Sequence, residues 1–97
     1  MSTMDTMYPL TVKIIRDRRS KDAPLVAYSP EIDVASCGPT EEKARENLLE
    51  AVGIVLKEIK RKGKLEEFLQ ELGFQKENKD WIPPTVSFAP FRLSSFA

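Results

Sequence analysis

The sequence predicts an α+β domain: a three-stranded antiparallel β-meander with a long amphipathic helix packed on it, then a second short helix and a short C-terminal strand, in the order β-β-β-α-α-β. Three observations predict it. Tyr8, Leu10, Val12 and Ile14 alternate with Thr11 and Lys13, the period of two that marks a half-buried strand. From Ala44 to Ile59 apolar residues recur every three or four positions, the spacing of one helix face. Between these patterns, Gly38-Pro39 ends an apolar segment and Thr40 stands where a helix cap is needed.

Strand one is expected over about residues 8–16. The polar stretch Asp17-Arg18-Arg19-Ser20-Lys21-Asp22 reverses the chain, and Leu25-Val26-Ala27-Tyr28 returns as the second strand of a hairpin. Pro30 has no N–H to give a ladder, so it marks a strand end before a third strand over Ile32–Cys37. Thr40 caps the long helix, and Glu41 and Glu42 put negative charge where the helix dipole favours it. Ala44, Leu48, Ala51, Val52, Val55 and Ile59 form its apolar stripe, over about five turns. Lys60, Arg61 and Lys62 suit its C-terminal end, and Gly63 suits a left-handed cap. Leu65, Phe68, Leu69 and Leu72 predict a shorter second helix closed by Gly73. Gln75–Asp80 reads as a polar loop and Thr85–Phe88 as a short edge strand. The tail, with Pro90, Phe91, Leu93 and Phe96, is apolar enough to pack on its own sheet or on another subunit.

Composition narrows the function more by exclusion than by assignment. The 97 residues suffice for one domain, with a core at about residues 8–74 and a strand and tail at 75–97. With 41% hydrophobic and 31% charged residues, and no apolar run near the ~18 residues of a membrane span, a cytosolic protein is expected. Met1–Met7 lacks the apolar stretch of a secretory signal. A single cysteine, Cys37, excludes an internal disulfide and reads as a small buried thiol beside a turn, since no histidine is present to activate it. The same absence removes His-based triads, metal ligands and the side chain best suited to proton transfer near neutrality.

Acidic and basic residues balance at 15 each, which argues against a broad nucleic-acid-binding surface. Locally, Lys13–Asp22 and Lys57–Lys64 lean basic, while Glu41–Glu50 and Glu66–Glu71 lean acidic. Such runs are ordinarily solvated faces; the sharper reading is a divided surface that meets a charged protein partner. Arg16, Arg18, Arg19 and Lys21 have no helix-turn-helix and no aromatic-basic RNA motif beside them. Tyr28 and Trp81 read as core or interface residues. Glu31, Asp33, Glu41 and Glu42 are the candidate partner-binding residues. Their convergence on magnesium or manganese is the alternative, although alternating strand residues and first-turn glutamates are more often surface groups. No cofactor, metal site or catalytic residue is expected.

One segment also carries a resemblance. Pro30-Glu31-Ile32, then Val34-Ala35-Ser36, then Gly38-Pro39-Thr40, followed by Glu42, Ala44, Asn47-Leu48 and Glu50-Ala51, resembles the strand–turn–helix signature of the HicB family. That family is the antitoxin half of a bacterial and archaeal toxin-antitoxin pair. The likeness runs over roughly Leu10–Phe74, about two thirds of the chain. Pro39 departs from the acidic residue common there, and Lys43 replaces the Glu that would complete a capping box with Thr40. The resemblance implies a partial ribonuclease H-like fold without catalytic carboxylates, and neutralisation of a small basic HicA-type ribonuclease toxin by occlusion. Many relatives add a ribbon-helix-helix or helix-turn-helix segment for operator DNA; the Pro- and Phe-rich tail offers neither, so DNA binding is not expected.

The sequence therefore describes an interaction protein, not an enzyme, with two readings open beside a divalent-metal-dependent nuclease. One is the HicB-like antitoxin; the other is a solitary HicB-like oligomeric adaptor with neither toxin nor DNA-binding activity. Both favour a homo-oligomer, dimer or tetramer, because a sheet this small leaves edges that natural proteins pair or cover.

Overall fold

A computed structural model describes residues 9–94 of the chain. Tyr8 and Phe96, assigned above to the first strand and the tail, lie outside these residues. Strands β1 (Lys13–Arg16), β2 (Leu25–Ser29) and β3 (Val34–Gly38) are followed by helices α1 (Glu41–Arg61) and α2 (Leu65–Glu71), then by strands β4 (Gln75–Glu77) and β5 (Asp80–Ile82). The first three strands form an antiparallel sheet in the order β1-β2-β3, and β4 and β5 pair as a separate hairpin. This is the expected α+β architecture.

The alternation along β2 decides which side of the sheet is covered. Leu25, Ala27 and Ser29 are buried, whereas Val26 and Tyr28 between them are only half-buried. Helix α1 lies on the buried side, over β2 and β3. It contributes Ala44, Leu48 and Val52, at successive four-residue steps, to a core completed by Leu25 and Ala27. Leu10, Val12, Ile14, Ile32, Val34 and Leu56 pack around it. Leu48 is fully buried, so Leu48→Ala would cost about 2–5 kcal/mol in lost transfer energy and cavity.

β1 begins later than the periodicity suggested, and the ladder explains why. Pairing starts at Lys13 opposite Tyr28; continued by two residues, it would set Thr11 against Pro30, which has no N–H. The Thr11 amide turns instead to the Glu31 carboxylate, at 3.1 and 3.2 Å. β3 likewise starts at Val34 rather than Ile32. Residues 30–33 form a turn in which the Asp33 amide donates to the Ser29 carbonyl at 2.8 Å, and Asp33 takes a positive φ of 62°. Aspartate tolerates this left-handed region better than β-branched residues do.

Both helices end as their glycines predict. After α1, the Gly63 amide donates to the Lys60 carbonyl and the Lys64 amide to the Ile59 carbonyl; after α2, Gly73 donates to Gln70 and Phe74 to Leu69. Each is the paired bonding of a Schellman motif, with glycine at φ 74° and 97°. Leu69 and Phe74, which bracket the second motif, are both buried.

The C-terminal third departs from expectation. Gln75–Asp80 is not a loop: Gln75–Glu77 pairs with Asp80–Ile82 across a two-residue turn at Asn78, φ 58°. The strand is polar because its side chains lie in solvent, so the usual apolar alternation is missing. Lys76 steadies the hairpin, pairing with Glu66 of α2 at 2.9 Å and standing 5.7 Å from the centre of the half-buried Trp81 ring. Thr85–Phe88, expected as an edge strand, joins no ladder, and the tail does not pack on its own sheet. Val86, Phe88, Phe91 and Leu93 are 60%, 102%, 84% and 82% exposed. The Cα radius of gyration of 16.7 Å exceeds the roughly 12.5 Å of a compact chain of this length.

Candidate partner-binding site

The segment from Pro30 to Leu48 builds a rigid corner between sheet and helix. Thr40 has extended backbone, and its hydroxyl accepts the Lys43 amide at 3.0 Å, satisfying one of the free donors of the first turn. The Ala44 amide then closes the first helical bond on the Thr40 carbonyl at 2.9 Å. Gly38 must be glycine because a Cβ there would stand 2.8 Å from the Ala44 amide nitrogen. Ala44 is small and fully buried against the sheet. One turn on, the Asn47 side-chain amide donates to the Cys37 carbonyl at 2.9 Å, bonding α1 back to β3. Gly38, Thr40, Ala44, Asn47 and Leu48 thus act in the corner itself. Pro30 is exposed, and Glu42 projects from the first helical turn.

The four acidic candidates fall into two pairs with different work. Glu31 accepts the Thr11 amide and, at 3.2 Å, the hydroxyl of the buried Ser29, so it holds the approach to β1 against the β2–β3 turn. Asp33 accepts the Tyr28 hydroxyl at 2.7 Å. That bond holds the Tyr28 phenol above its ordinary value of 10.0, with burial and the Asp33 charge acting the same way. At the other end of β3, Glu41 and Glu42 are exposed and join no ion pair among the described residues. Five strand residues, roughly 16 Å of extended chain, run between the two pairs. They do not converge, and no group of three or more metal-ligating acidic or cysteine side chains forms among the described residues.

Cys37 corrects one expectation. Its thiol is exposed, not buried, because Cys37 pairs with Val26 and both belong to the sheet face turned away from α1. The turn beside it reaches the core through Gly38 instead.

No protein-family model, curated protein or solved structure matches the chain.

Helix α1 carries a surface that residue spacing alone identifies only in part. Glu42, Glu46 and Glu50 follow one another at four-residue steps and are exposed, with Glu46 paired to Lys43 at 3.7 Å and Arg45 exposed alongside. Leu49 and Ile54, 51% and 65% exposed, lie among and beyond them. Apolar side chains set within an acidic helical face are suited to a partner that brings cations around an apolar contact. At the tip of the β1–β2 hairpin the charges reverse. Arg18, Arg19 and Lys21 are exposed there, and hydrogen bonds from the Arg19 side chain and backbone hold the Asp17 carboxyl below its ordinary 3.8. Beyond the sheet, an open groove of about 290 Å³ between the end of α1 and α2 is lined by Ile59, Phe68 and two residues of each charge. Its lining places no nucleophile beside a base.

Among the described residues, no helix is long and apolar enough to cross a membrane.

Proposed function

We propose that this chain is an interaction protein that binds a small basic ribonuclease toxin of the HicA type and neutralises it by covering its working surface, as HicB-like antitoxins do. The observation that carries the proposal is the exposed row Glu42, Glu46 and Glu50 on α1 next to the exposed Leu49, a row in which Glu46 alone has a cation from its own chain, Lys43 at 3.7 Å, and which Arg45 borders on the far side of Leu49. A buried apolar anchor ringed by complementary charge is the arrangement that gives protein interfaces both affinity and a fast encounter. The corner supports the same reading: Gly38, Thr40, Ala44, Asn47 and Leu48 of the resembling segment position α1, while Glu42 and Glu50 of the same segment stay on its outward face. Glu42 belongs to that face, and Glu41 is exposed at the first residue of the helix, above the Ala44–Leu48 side. Glu31 and Asp33, engaged in bonds of their own, are supports for the turn rather than contacts.

The test is to tag the protein in its native host, purify it gently and identify what co-elutes in stoichiometric amount. The expected companion is a small basic protein whose RNA cleavage stops when this chain is added. Reversing two charges beyond the first turn, Glu46→Lys with Glu50→Lys, should weaken that inhibition by about tenfold or more, at the small stability cost of one exposed ion pair, Lys43–Glu46. Inhibition untouched by the reversal would move the interface elsewhere on the chain.

A second reading, the solitary HicB-like oligomeric adaptor, is favoured by the exposed apolar tail. Recovery of the chain alone as a discrete oligomer would select it over the antitoxin.

A further inference from the structure

The side of the sheet that α1 leaves open is apolar. Antiparallel register sets Ile15, Val26 and Cys37 in one row across all three strands, and Tyr28 and Ala35 in the next. Ile15 is 42% exposed, Ala35 and Cys37 are exposed, and Val26 and Tyr28 are half-covered. Charge stands only at the margin of these rows, as Lys13 opposite Tyr28 and as Asp33, whose carboxylate accepts the Tyr28 hydroxyl. Monomeric domains rarely leave such a face bare.

The same chain carries a run of exposed apolar side chains after β5, at Val86, Phe88, Phe91 and Leu93. Residues 83–94 contain a single charge, Arg92, and three prolines, Pro83, Pro84 and Pro90, which favour extended backbone and reduce the entropy lost on docking. In the three-residue turn of a polyproline II chain, which the prolines favour, Phe88 and Phe91 fall on one side. The segment starts at the far end of α1, where Pro84 lies against Gly73 at the close of α2, and from there it runs clear of its own sheet.

We infer that the tail of one copy docks on the open sheet face of a second copy, Phe88 and Phe91 covering the Ile15–Val26–Cys37 row, and that the exchange is reciprocal. A two-fold pairing satisfies both faces and both tails at once and leaves no open end to propagate. The area suffices. Two phenylalanines remove roughly 300 Å² per tail; with the surface they cover and the second tail, the total is on the order of 1,200 Å², the lower bound of a specific interface. Val86 and Leu93 add to it. The exposed apolar residues of α1 are a poorer receiver, because the charged Arg45 and Glu46 flank Leu49 one turn back, and burying them against an uncharged tail would strand their charge. This pairing is independent of any toxin, since it uses the opposite side of the sheet from α1.

The experiment uses the full chain and its single cysteine. Light scattering at micromolar concentration reads the mass, and the rate of Cys37 modification by a soluble disulfide reagent reads coverage of the face. The expected result is a dimer whose Cys37 reacts about tenfold more slowly than in Phe88→Ser/Phe91→Ser, a variant that becomes monomeric with unchanged circular dichroism. Ala35→Glu, at an exposed position, should also give a folded monomer. A wild-type monomer with fast-reacting Cys37 overturns the inference and leaves the face to another protein or a lipid surface. A dimer that survives the tail variant overturns the role of the tail, and one that survives Ala35→Glu overturns the choice of face.

Discussion

The side-chain amide of Asn47 donates to the main-chain carbonyl of Cys37 at 2.9 Å, joining the second turn of α1 to the last residues of β3. It fixes the angle at which the helix leaves the sheet, a geometry that burial of Ala44 and Leu48 alone leaves free to rock. Asn47→Ala is expected to lower stability by about 0.5–1.5 kcal/mol, the net worth of one hydrogen bond. Chemical denaturation would show it as a lower midpoint at unchanged slope.

Gly38→Ala should do more damage. The added methyl meets Ala44 main chain at 2.8 Å, with the Lys43 carbonyl carbon at 3.1 Å, and neither can step aside as a side chain would. An overpacking cost of about 1–3 kcal/mol follows, or a fall in melting temperature of about 4–8 °C for each kcal/mol in a domain of this size. Melting within a degree of wild type would mean that α1 can shift off β3 without loss.

Gly53→Ala should move stability the other way. Gly53 is inside α1, and an added Cβ meets nothing within 4 Å. Alanine there removes the backbone-entropy penalty of a helical glycine, worth about 0.5–1 kcal/mol, so the variant should melt several degrees higher. A variant less stable than wild type would reveal a close neighbour at Gly53 supplied by another chain.

The two acidic pairs should separate in a binding-versus-stability experiment. Glu31→Ala strips the Thr11 amide and the buried Ser29 hydroxyl of their acceptor, a loss of about 1–3 kcal/mol. Glu41→Gln with Glu42→Gln removes exposed first-turn charges at a helix-dipole cost of about 0.3–1 kcal/mol each, and its larger expected effect is weaker capture of the proposed basic partner. The reverse pattern would exchange the two roles.

Tyr28 supplies a pH prediction. Its phenol is held above 10.0 chiefly by the hydrogen bond it donates to Asp33. A folded-state value above the unfolded one means the bond contributes fully below pH 10 and is lost as pH rises through the raised value. In a Tyr8→Phe background, where Tyr28 is the single tyrosine, phenolate absorbance should therefore appear at higher pH in the folded protein than in urea. Asp33→Asn should bring the two curves together; coincident curves without that substitution would show the bond to be absent in solution.

Much of this architecture is legible in local pattern. The alternation at Leu10, Val12 and Ile14, the four-residue steps of Ala44, Leu48 and Val52, the Thr40 cap and the glycine stops at 63 and 73 all act through near neighbours in the chain. Their physics needs no knowledge of what lies opposite. The polar hairpin at 75–82 is invisible to the same reasoning because a strand with both faces in solvent carries no apolar period.

The candidate site divides along the same line. That Glu31, Asp33, Glu41 and Glu42 flank one strand and one turn follows from sequence order, and so does the acidic bias of the first half of α1. Which of them are free is settled only by the folded partners: Thr11, twenty positions from Glu31, takes that carboxylate, and Tyr28, five positions before Asp33 and across the β2–β3 turn from it, takes the other. Tertiary structure likewise decides that Cys37 faces out, since the side of a strand that is buried depends on where α1 lies, and that Phe88 and Phe91 find no cover among the described residues. Backbone preference and side-chain period are local quantities carried by the sequence itself. Burial and hydrogen-bond partnership are pairwise, and they take their values only when the second partner is in place.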